Sequence, residues 1–172
     1  GTYRPVAGDN EPFDATLFVD YFSAVPEHFW FGANYYRRTL SDSDLDGSWL
    51  VWDKRNEASD AGFGSGFELL WSKARHKQDL LRHYFFGAFG VEGRDRMHPT
   101  QKPTPLLAAI LERWAPEGCV VADPFLGSGS TLIACENTGR ACYGMEIDAG
   151  YVDVCVERWQ QHTVRTAEVE TP

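Results

Sequence analysis

Residues 119–148 constrain the fold of this chain more than any other stretch. Their order predicts a buried apolar strand (119–122), a glycine loop (Asp123-Pro-Phe-Leu-Gly-Ser-Gly-Ser-Thr131), a helix from about Ser130 to Glu136, and a second strand (141–145) that ends on Glu146. A strand, a glycine loop, a helix and a strand with a terminal carboxylate form the nucleoside-binding half of an open α/β sheet. The sequence therefore predicts an α/β fold with a ligand at the loop.

The loop residues favour a ligand on physical grounds. Gly127 and Gly129 let the backbone turn tightly and approach a ligand, because glycine has no Cβ. The helix beginning near Ser130 directs free N–H groups and the positive end of its dipole to the same place. Glu146 can accept hydrogen bonds from two ribose hydroxyls, and it follows Gly129 at close to the roughly 20 residues expected for that role. The alternative is that the glycine pair forms an ordinary turn.

Three ligand classes can be weighed for this loop. A phosphate-binding P-loop needs Gly-Lys-Ser/Thr, but no lysine follows Lys102. A dinucleotide-binding loop would have a third glycine near Leu132, and none is present. A nucleoside without a pyrophosphate remains, and S-adenosylmethionine fits best, with Asp123 meeting its ammonium group.

The composition is that of a globular protein and argues against a membrane protein or a metal-binding protein. The chain has 172 residues, enough for one domain with a core, and 43% of them are hydrophobic. The four cysteines form no Cys-x-x-Cys pair and the histidines are scattered, which favours buried free thiols over a metal site. No apolar run approaches the roughly 20 residues of a membrane span, and residues 1–5 are polar. We therefore expect no membrane partner, no metal and a cytoplasmic location.

Charge is unevenly distributed. The net charge of −9 argues against indiscriminate nucleic-acid binding. Residues 73–102 hold seven Lys and Arg against three Asp and Glu, a net charge of +4, so the rest of the chain carries −13. This segment is either a solvated face or a strip that contacts DNA phosphates. The candidate contacts are Lys73, Arg75, Lys77, Arg94 and Arg96.

Other elements follow from periodicity and turn residues. Asp14 is expected to begin a helix that runs to about Val25 and buries Leu17, Phe18, Tyr21, Phe22 and Val25. Further strands are predicted at 28–31, 49–52, 67–71 and 81–86, the last two paired antiparallel, and further helices at 35–40, 103–114 and 151–162. Residues 56–66 are predicted to be a loop, and the chain is expected to fray from residue 163.

His98-Pro-Thr-Gln-Lys-Pro103, followed by a helix and the loop at 123–131, resembles the amino-methyltransferases of DNA, which methylate adenine N6 or cytosine N4. The order resembles the β arrangement of that family, in which the target-base half precedes the cofactor half. The Glu146-Ile-Asp148 ending is also similar. So are three stretches of the N-terminal half that match phage and mobile-element members: Trp30-Phe-Gly-Ala-Asn34, Trp49-Leu-Val-Trp-Asp-Lys54 and Glu68-Leu-Leu-Trp71.

The resemblance implies a fold and a set of site residues. The fold would be Rossmann-like and S-adenosylmethionine-dependent, with a mixed, mostly parallel sheet and helices on both faces. One domain would comprise a target-base half (1–97), a cofactor half (98–162) and a frayed tail (163–172). Thr100, Gln101 and Lys102 would lie beside the methionine part of the cofactor. Glu146 would hold the ribose and Ile147 the adenine. The amino-acid end and sulfonium would be surrounded by Asp123, Phe125, Gly127 and Gly129.

The family's catalytic motif, Asp/Asn/Ser-Pro-Pro-aromatic, is absent, because no two of the nine prolines are adjacent. In that motif a side chain and a proline carbonyl accept the hydrogens of the amino group, and the aromatic ring stacks on the flipped-out base. We expect the chain to be truncated just downstream of the motif, or to be a natural remnant, with little or no activity alone. Asp53 and Lys54, at a predicted strand end, either line the site or form a surface ion pair.

Three functions stay open at this point. The chain is the bulk of a DNA amino-methyltransferase from a restriction-modification system, phage or mobile element. Alternatively, it is an S-adenosylmethionine-binding remnant or subunit that assembles with a partner chain carrying the missing motif. A small-molecule methyltransferase is the third, and residues 98–103 disfavour it. Salt-sensitive DNA binding would favour the first function. The oligomeric state and the choice between adenine and cytosine stay undetermined.

Overall fold

The computed structural model describes residues 6, 8, 13–41, 46–55, 65–77, 79–84 and 97–170. The chain divides into two compact units, and the described residues 8–84 belong to one and 97–170 to the other. We refer to these as the N-terminal unit and the C-terminal unit. Their junction lies close to the predicted boundary between the target-base half and the cofactor half. That the halves form one methyltransferase domain stays a prediction.

The N-terminal unit contains a mixed sheet of four strands in the order β1-β3-β2-β4. Strand β3 is antiparallel to both β1 and β2, and β4 is parallel to β2. Strands β1, β2 and β4 therefore run in the same direction and end at one edge of the sheet. The strands are β1 (Phe29–Phe31), β2 (Ser48–Asp53), β3 (Phe67–Ser72) and β4 (Leu80–Arg82).

One face of β2 contributes side chains to the core of this unit. Its side chains are alternately buried and half-buried, with Leu50 and Trp52 at most 1% exposed. Leu70 on β3 is equally buried, and each such side chain contributes about 1.5–3 kcal/mol by leaving water. The buried indole of Trp52 donates its Nε1–H to the carbonyl of His83 at 2.9 Å, which satisfies its polar atom.

The first helix is shorter than predicted. It starts as expected, with Asp14 Oδ1 accepting the N–H of Thr16 at 2.9 Å, but α1 covers only Thr16–Tyr21. The predicted buried face is wrong for Leu17, Tyr21 and Val25, which are 71%, 80% and 40% exposed. The half-buried Phe18 ring packs against the rings of Phe13 and Trp30. The helical stretch predicted at 35–40 corresponds to α2 (Ala33–Tyr36) and a 3-10 turn at Arg37–Thr39.

The predicted pairing of the last strand in this unit is also wrong. Strand β4 lies parallel to β2, with Val51 opposite Leu80, and does not pair with β3. Both edges of β3 are already hydrogen-bonded to β1 and β2, so the free edge of β2 is where β4 can add. Residues 85–86 of the predicted strand and 56–64 of the predicted loop lie outside the described residues.

The C-terminal unit follows the predicted order closely. Helix α3 (Thr104–Trp114) leads to β5 (Val120–Asp123), α4 (Ser130–Asn137), β6 (Ala141–Gly144) and α5 (Ala149–Thr163). Strands β5 and β6 are parallel, with Asp123 opposite Gly144. Helix α3 buries Leu106, Ile110 and Leu111. The cysteines are all free, Cys135 and Cys155 buried and Cys119 and Cys142 half-buried.

The last helix is capped and the segment after it makes contacts. Asp148 Oδ1 accepts the N–H groups of Gly150 at 2.7 Å and of Tyr151 at 3.3 Å, so α5 begins earlier than predicted. Beyond α5, Arg165 pairs with Glu136. Its guanidinium also lies 4.6 Å from the ring centroid of Trp159. The segment expected to fray from residue 163 is therefore packed against α4 and α5 at this point.

The predicted α/β class with a mixed sheet is confirmed. Among the described strands, two neighbouring pairs are parallel and two are antiparallel, so the prediction of a mostly parallel sheet is not matched in the part of the chain described. No helix within the described residues has the length and apolar character needed to span a membrane.

Candidate nucleoside-binding site

The glycine loop lies between β5 and α4, and its two glycines adopt left-handed backbone conformations. Gly127 has φ +56° and Gly129, the residue before α4, has φ +81°. A Cβ on Gly129 would lie 3.2 Å from the Sγ of Cys155 and 3.3 Å from its Cα. Glycine is therefore required at residue 129 by both its backbone angle and the space available. At residue 127 the backbone angle alone requires it, because a Cβ there would make only ordinary contact with the His98 ring.

Glu146 lies against this loop, as the sequence predicted. Its Oε2 accepts the N–H of Gly127 at 2.8 Å, and its Oε1 accepts the N–H of Asp148 at 2.9 Å. The half-buried carboxylate thus joins the loop after β5 to the turn after β6. An ionised carboxylate has about four lone-pair sites, so these two bonds leave acceptor capacity on each oxygen for a ligand's hydroxyl groups.

Three other predicted residues lie at the ends of the two parallel strands or just after them. Asp123 is half-buried, and its Oδ1 accepts the N–H of Phe125 at 2.9 Å. The Phe125 ring is 52% exposed, and the Ile147 side chain, next to Glu146, is 84% exposed. The end of the β5–β6 pair therefore presents two carboxylates and two apolar side chains, which suits a ligand with a polar sugar and a flat base.

The segment at 97–102 is tied to the glycine loop from the other side. Gln101 is only 8% exposed, and its Oε1 accepts the Oγ–H of Ser128 at 2.9 Å and the N–H of Met97 at 3.0 Å. His98 is also buried, and its Nδ1 accepts the N–H of Thr100 at 3.2 Å. Gln101 thus holds the segment in place through Ser128. Thr100 is exposed and Lys102 is half-buried.

The sequence pattern did not single out the residues of α5 that support the loop. The Sγ–H of Cys155 donates to the carbonyl of Gly127 at 2.9 Å, and burial raises the pKa of this thiol to about 11. Arg158 donates to the carbonyl of Ser128 and, at 3.0 Å, to its Oγ. Tyr151, Cys155 and Arg158 recur at helical spacing on one face of α5, a pattern that could have identified them.

The structure brings most predicted cofactor residues together in the C-terminal unit. Gly127 and Glu146 are directly bonded, Gln101 reaches the loop through Ser128, and Asp123 begins the loop. Within the described residues, no three His, Cys, Asp or Glu side chains are grouped so as to hold a metal ion.

Two of the predicted DNA contacts in the N-terminal unit, Lys73 and Arg75, bond to groups of the same unit. Lys73 Nζ donates to the carbonyls of Ser23 and Val25, both at 2.6 Å. Arg75 Nη2 lies 2.6 Å and 2.7 Å from the two carboxylate oxygens of Asp46, and these hydrogen bonds raise the pKa of the guanidinium. The remaining candidates are the exposed Lys77, and Arg94 and Arg96, which lie outside the described residues.

The chain is similar to known DNA methyltransferases. It is 38% identical over 61 residues to the type II methyltransferase M.ScaI of Streptomyces caespitosus, covering 36% of this chain and 20% of that protein. It is 29% identical over 107 residues to M.BglII of Bacillus subtilis, covering 61% of this chain and 26% of that protein. The chain thus spans about a fifth to a quarter of the length of these relatives.

A solved structure and a family profile complete the comparison. The crystal structure of the M1.HpyAVI-SAM complex superposes with a TM-score of 0.62 at 20% identity, covering 90% of this chain and 85% of that one, which shows a shared fold. The profile of the DNA methylase family acting at N6 and N4 matches residues 21–157. Because this match covers well over half of the sequence, the chain belongs to the N6/N4 DNA methylase family.

Proposed function

We propose that the C-terminal unit binds S-adenosylmethionine and that the protein serves amino-methylation of DNA. The observation that carries the proposal is the hydrogen bond from Gly127 N–H to Glu146 Oε2. It brings the carboxylate at the end of β6 against the left-handed glycine loop at the end of β5. This is the position of nucleoside ligands in open α/β sheets.

The residues present fit this cofactor. Glu146 retains lone pairs for the two ribose hydroxyls, and the exposed side chain of Ile147 offers an apolar surface for adenine. Asp123 supplies a carboxylate for the ammonium group of the methionine part, with Phe125 nearby in the chain. When bound, S-adenosylmethionine would supply a methyl group on a positively charged sulfur. M1.HpyAVI, which shares the fold, was crystallised as a complex with this same cofactor, and that supports the proposal.

The acceptor in this proposal is the amino group of adenine or cytosine in duplex DNA, with the target base flipped out of the helix. Membership of the N6/N4 family and similarity to type II methyltransferases support it. The 172 residues contain no Pro-Pro-aromatic motif, so methyl transfer requires that motif from another segment or a partner chain. We propose that this chain alone is inactive or weakly active, and that it works in the cytoplasm.

A second candidate is a non-catalytic S-adenosylmethionine-binding subunit that assembles with a partner chain. The missing motif favours it, because the hydrogen-bond acceptors for the target amino group are then lacking. Incubating the chain with duplex DNA and radiolabelled S-adenosylmethionine, with and without a motif-bearing chain, tests the need for the motif. Label incorporated by the chain alone would show that other residues replace the motif. A stable complex with a separate motif-bearing chain, seen by size-exclusion chromatography, would favour the subunit, and its absence would refute it.

Calorimetric titration with S-adenosylmethionine tests the cofactor site. The Glu146→Ala variant should bind about 5- to 150-fold more weakly, because losing charge-assisted hydrogen bonds costs roughly 1–3 kcal/mol. Glu146→Gln keeps the size and one acceptor of the side chain, and should show a smaller loss. The control is Glu157→Ala, an exposed carboxylate on α5 that contacts Gln161. Equal affinity of the Glu146 and Glu157 variants would refute the assignment.

A further inference from the structure

A series of three hydrogen bonds crosses the C-terminal unit from its last helix to the segment at 97–102. Arg158 Nη1, on α5, lies 3.0 Å from the Oγ of Ser128 in the glycine loop. That Oγ lies 2.9 Å from Gln101 Oε1, which in turn lies 3.0 Å from the backbone nitrogen of Met97. We call this series the hydrogen-bond relay; its members are Arg158, Ser128, Gln101 and Met97.

The direction of each bond in the relay is fixed by its two ends. A guanidinium group can only donate, so the Ser128 hydroxyl accepts from Arg158 and keeps its own hydrogen to donate. At the other end the backbone N–H of Met97 can only donate, so the oxygen of the Gln101 amide must face it. Gln101 Oε1 therefore accepts from both Met97 and Ser128, and the relay permits only one orientation of this amide.

The middle of the relay is shielded from water. Ser128 is 2% exposed and Gln101 is 8% exposed, while Arg158 is half-buried. A buried polar group that loses its partner costs the full free energy of its desolvation, because water does not take the partner's place. Removing the hydroxyl or the guanidinium should therefore loosen the contact between the loop and the segment.

Other contacts of α5 support the loop and the segment separately. Arg158 also donates to the backbone carbonyl of Ser128. The ring of His98, at the start of the segment, lies 4.2 Å from the ring of Tyr151 on α5, measured between centroids. The loop and the start of the segment thus keep supports of their own when the Ser128 hydroxyl is removed. The relay adds the link between them.

Neighbouring residues of the loop bond to two different parts of the site. The N–H of Gly127 bonds to Glu146, the carboxylate proposed for the ribose. Ser128, the next residue, bonds to the segment that carries Thr100 and Lys102, the side chains expected beside the methionine part of the cofactor. The relay therefore leads to the methionine end of the proposed site.

We propose that Arg158 is a positioning residue for the amino-acid end of the cofactor, and that it acts through the Ser128 hydroxyl on the segment at 97–102. The inference rests on the proposed function, in which this unit binds S-adenosylmethionine. Because the relay fixes the segment, its loss should affect the ligand atoms that the segment meets. Binding of the ribose, which depends on Glu146, should be retained.

The test is calorimetric titration of the full chain with two neutral thioethers, S-adenosylhomocysteine and methylthioadenosine. Both contain adenine, ribose and sulfur, but only the first has an amino-acid end. Arg158→Met and Ser128→Ala should each weaken S-adenosylhomocysteine by about 10-fold and methylthioadenosine by less than about 2-fold. Arg158→Lys keeps the charge and a donor and should recover part of the loss. The control is Arg165→Met, which removes an arginine that pairs with Glu136 and should bind both ligands as the parent does.

A double variant tests whether Arg158 and Ser128 act through the same bond. Ser128→Ala keeps the backbone carbonyl to which Arg158 donates, so it removes the relay alone. Adding Arg158→Met to Ser128→Ala should then cost little more, and the combined loss should stay well below the product of the single losses, about 100-fold. This measurement needs only S-adenosylhomocysteine, so it does not depend on how tightly methylthioadenosine binds.

The outcomes separate this inference from the function on which it rests. Equal losses for the two ligands, no loss for either, or single losses that multiply in the double variant would overturn the positioning role of Arg158. A parent chain that binds neither S-adenosylmethionine nor S-adenosylhomocysteine would overturn the proposed cofactor site and the inference with it. Glu146→Ala should weaken both thioethers, because they share the ribose. Circular dichroism would verify that each variant is folded.

Discussion

Substituting Gly129 by alanine tests the packing of the glycine loop directly. The residue has φ +81°, and an added Cβ would lie 3.2–3.3 Å from three atoms of Cys155, including its Cα. The Sγ can rotate away, but the Cα is backbone of α5 and cannot. The substitution should therefore force the loop and the helix apart.

The magnitude follows from two separate contributions. The left-handed backbone of an alanine costs roughly 1–2 kcal/mol, partly offset by about 0.4–1 kcal/mol from the stiffer unfolded chain. Crowding against Cys155 adds about 1–3 kcal/mol, the usual cost of overpacking.

Gly139, just beyond the other end of α4, provides the control that separates the cost of crowding from the cost of the backbone angle. It has φ +65°, but a Cβ there would meet nothing within 4 Å. Gly139→Ala thus carries the same backbone cost without the clash, and the difference between the two variants is the packing energy alone. Thermal unfolding followed by circular dichroism should show Gly129→Ala as the less stable variant, with a Tm lower by about 2–12 °C. Equal destabilisation of the two variants would refute the described contact between the loop and α5.

Two further predictions concern titration and reactivity. Burial lowers the pKa of His28, so the unfolded state takes up its proton first as pH falls, and stability is lost below the unperturbed pKa of about 6.5. Unfolding at about pH 7.5 and 5.5 should show a smaller loss for His28→Gln than for the parent; an equal loss would mean that other groups dominate. Burial raises the pKa of Cys155 to about 11, so iodoacetamide should label it only after unfolding. Mass spectrometry of native protein should find the half-buried Cys119 labelled first, and equally fast labelling would contradict the assigned burial of Cys155.

Local signals were sufficient to predict the C-terminal unit. Helix α3 is preceded by Pro103 and buries an apolar face, and the glycine loop separates β5 from α4 at a fixed point in the sequence. Each boundary depends on residues within one or two turns of it, and the predicted elements differ from the observed ones by only a few residues. The loop and Glu146 were predicted together because a parallel strand pair brings its carboxyl ends to one place.

The N-terminal unit was predicted less well because its pairings depend on distant residues. The position of β4 depends on which edge remains free after β1 and β2 have paired with β3, and the short apolar run at 80–82 carries no information about that choice. Similarly, the helical spacing of α1 predicted a buried face, but the Phe18 ring packs against Trp30 while Leu17 stays exposed.

The sequence by itself determined the α/β class, the order of elements in the C-terminal unit and the carboxylate that meets the glycine loop. It did so because glycine, proline and hydrophobic spacing act over short distances along the chain. Tertiary structure alone decided what each cation pairs with. Lys73 and Arg75 form part of a basic strip in the sequence, but folding places the carbonyls of Ser23 and Val25 beside Lys73 and the carboxylate of Asp46 beside Arg75. A charge is visible in a sequence, whereas its partner is fixed only when distant segments meet in space.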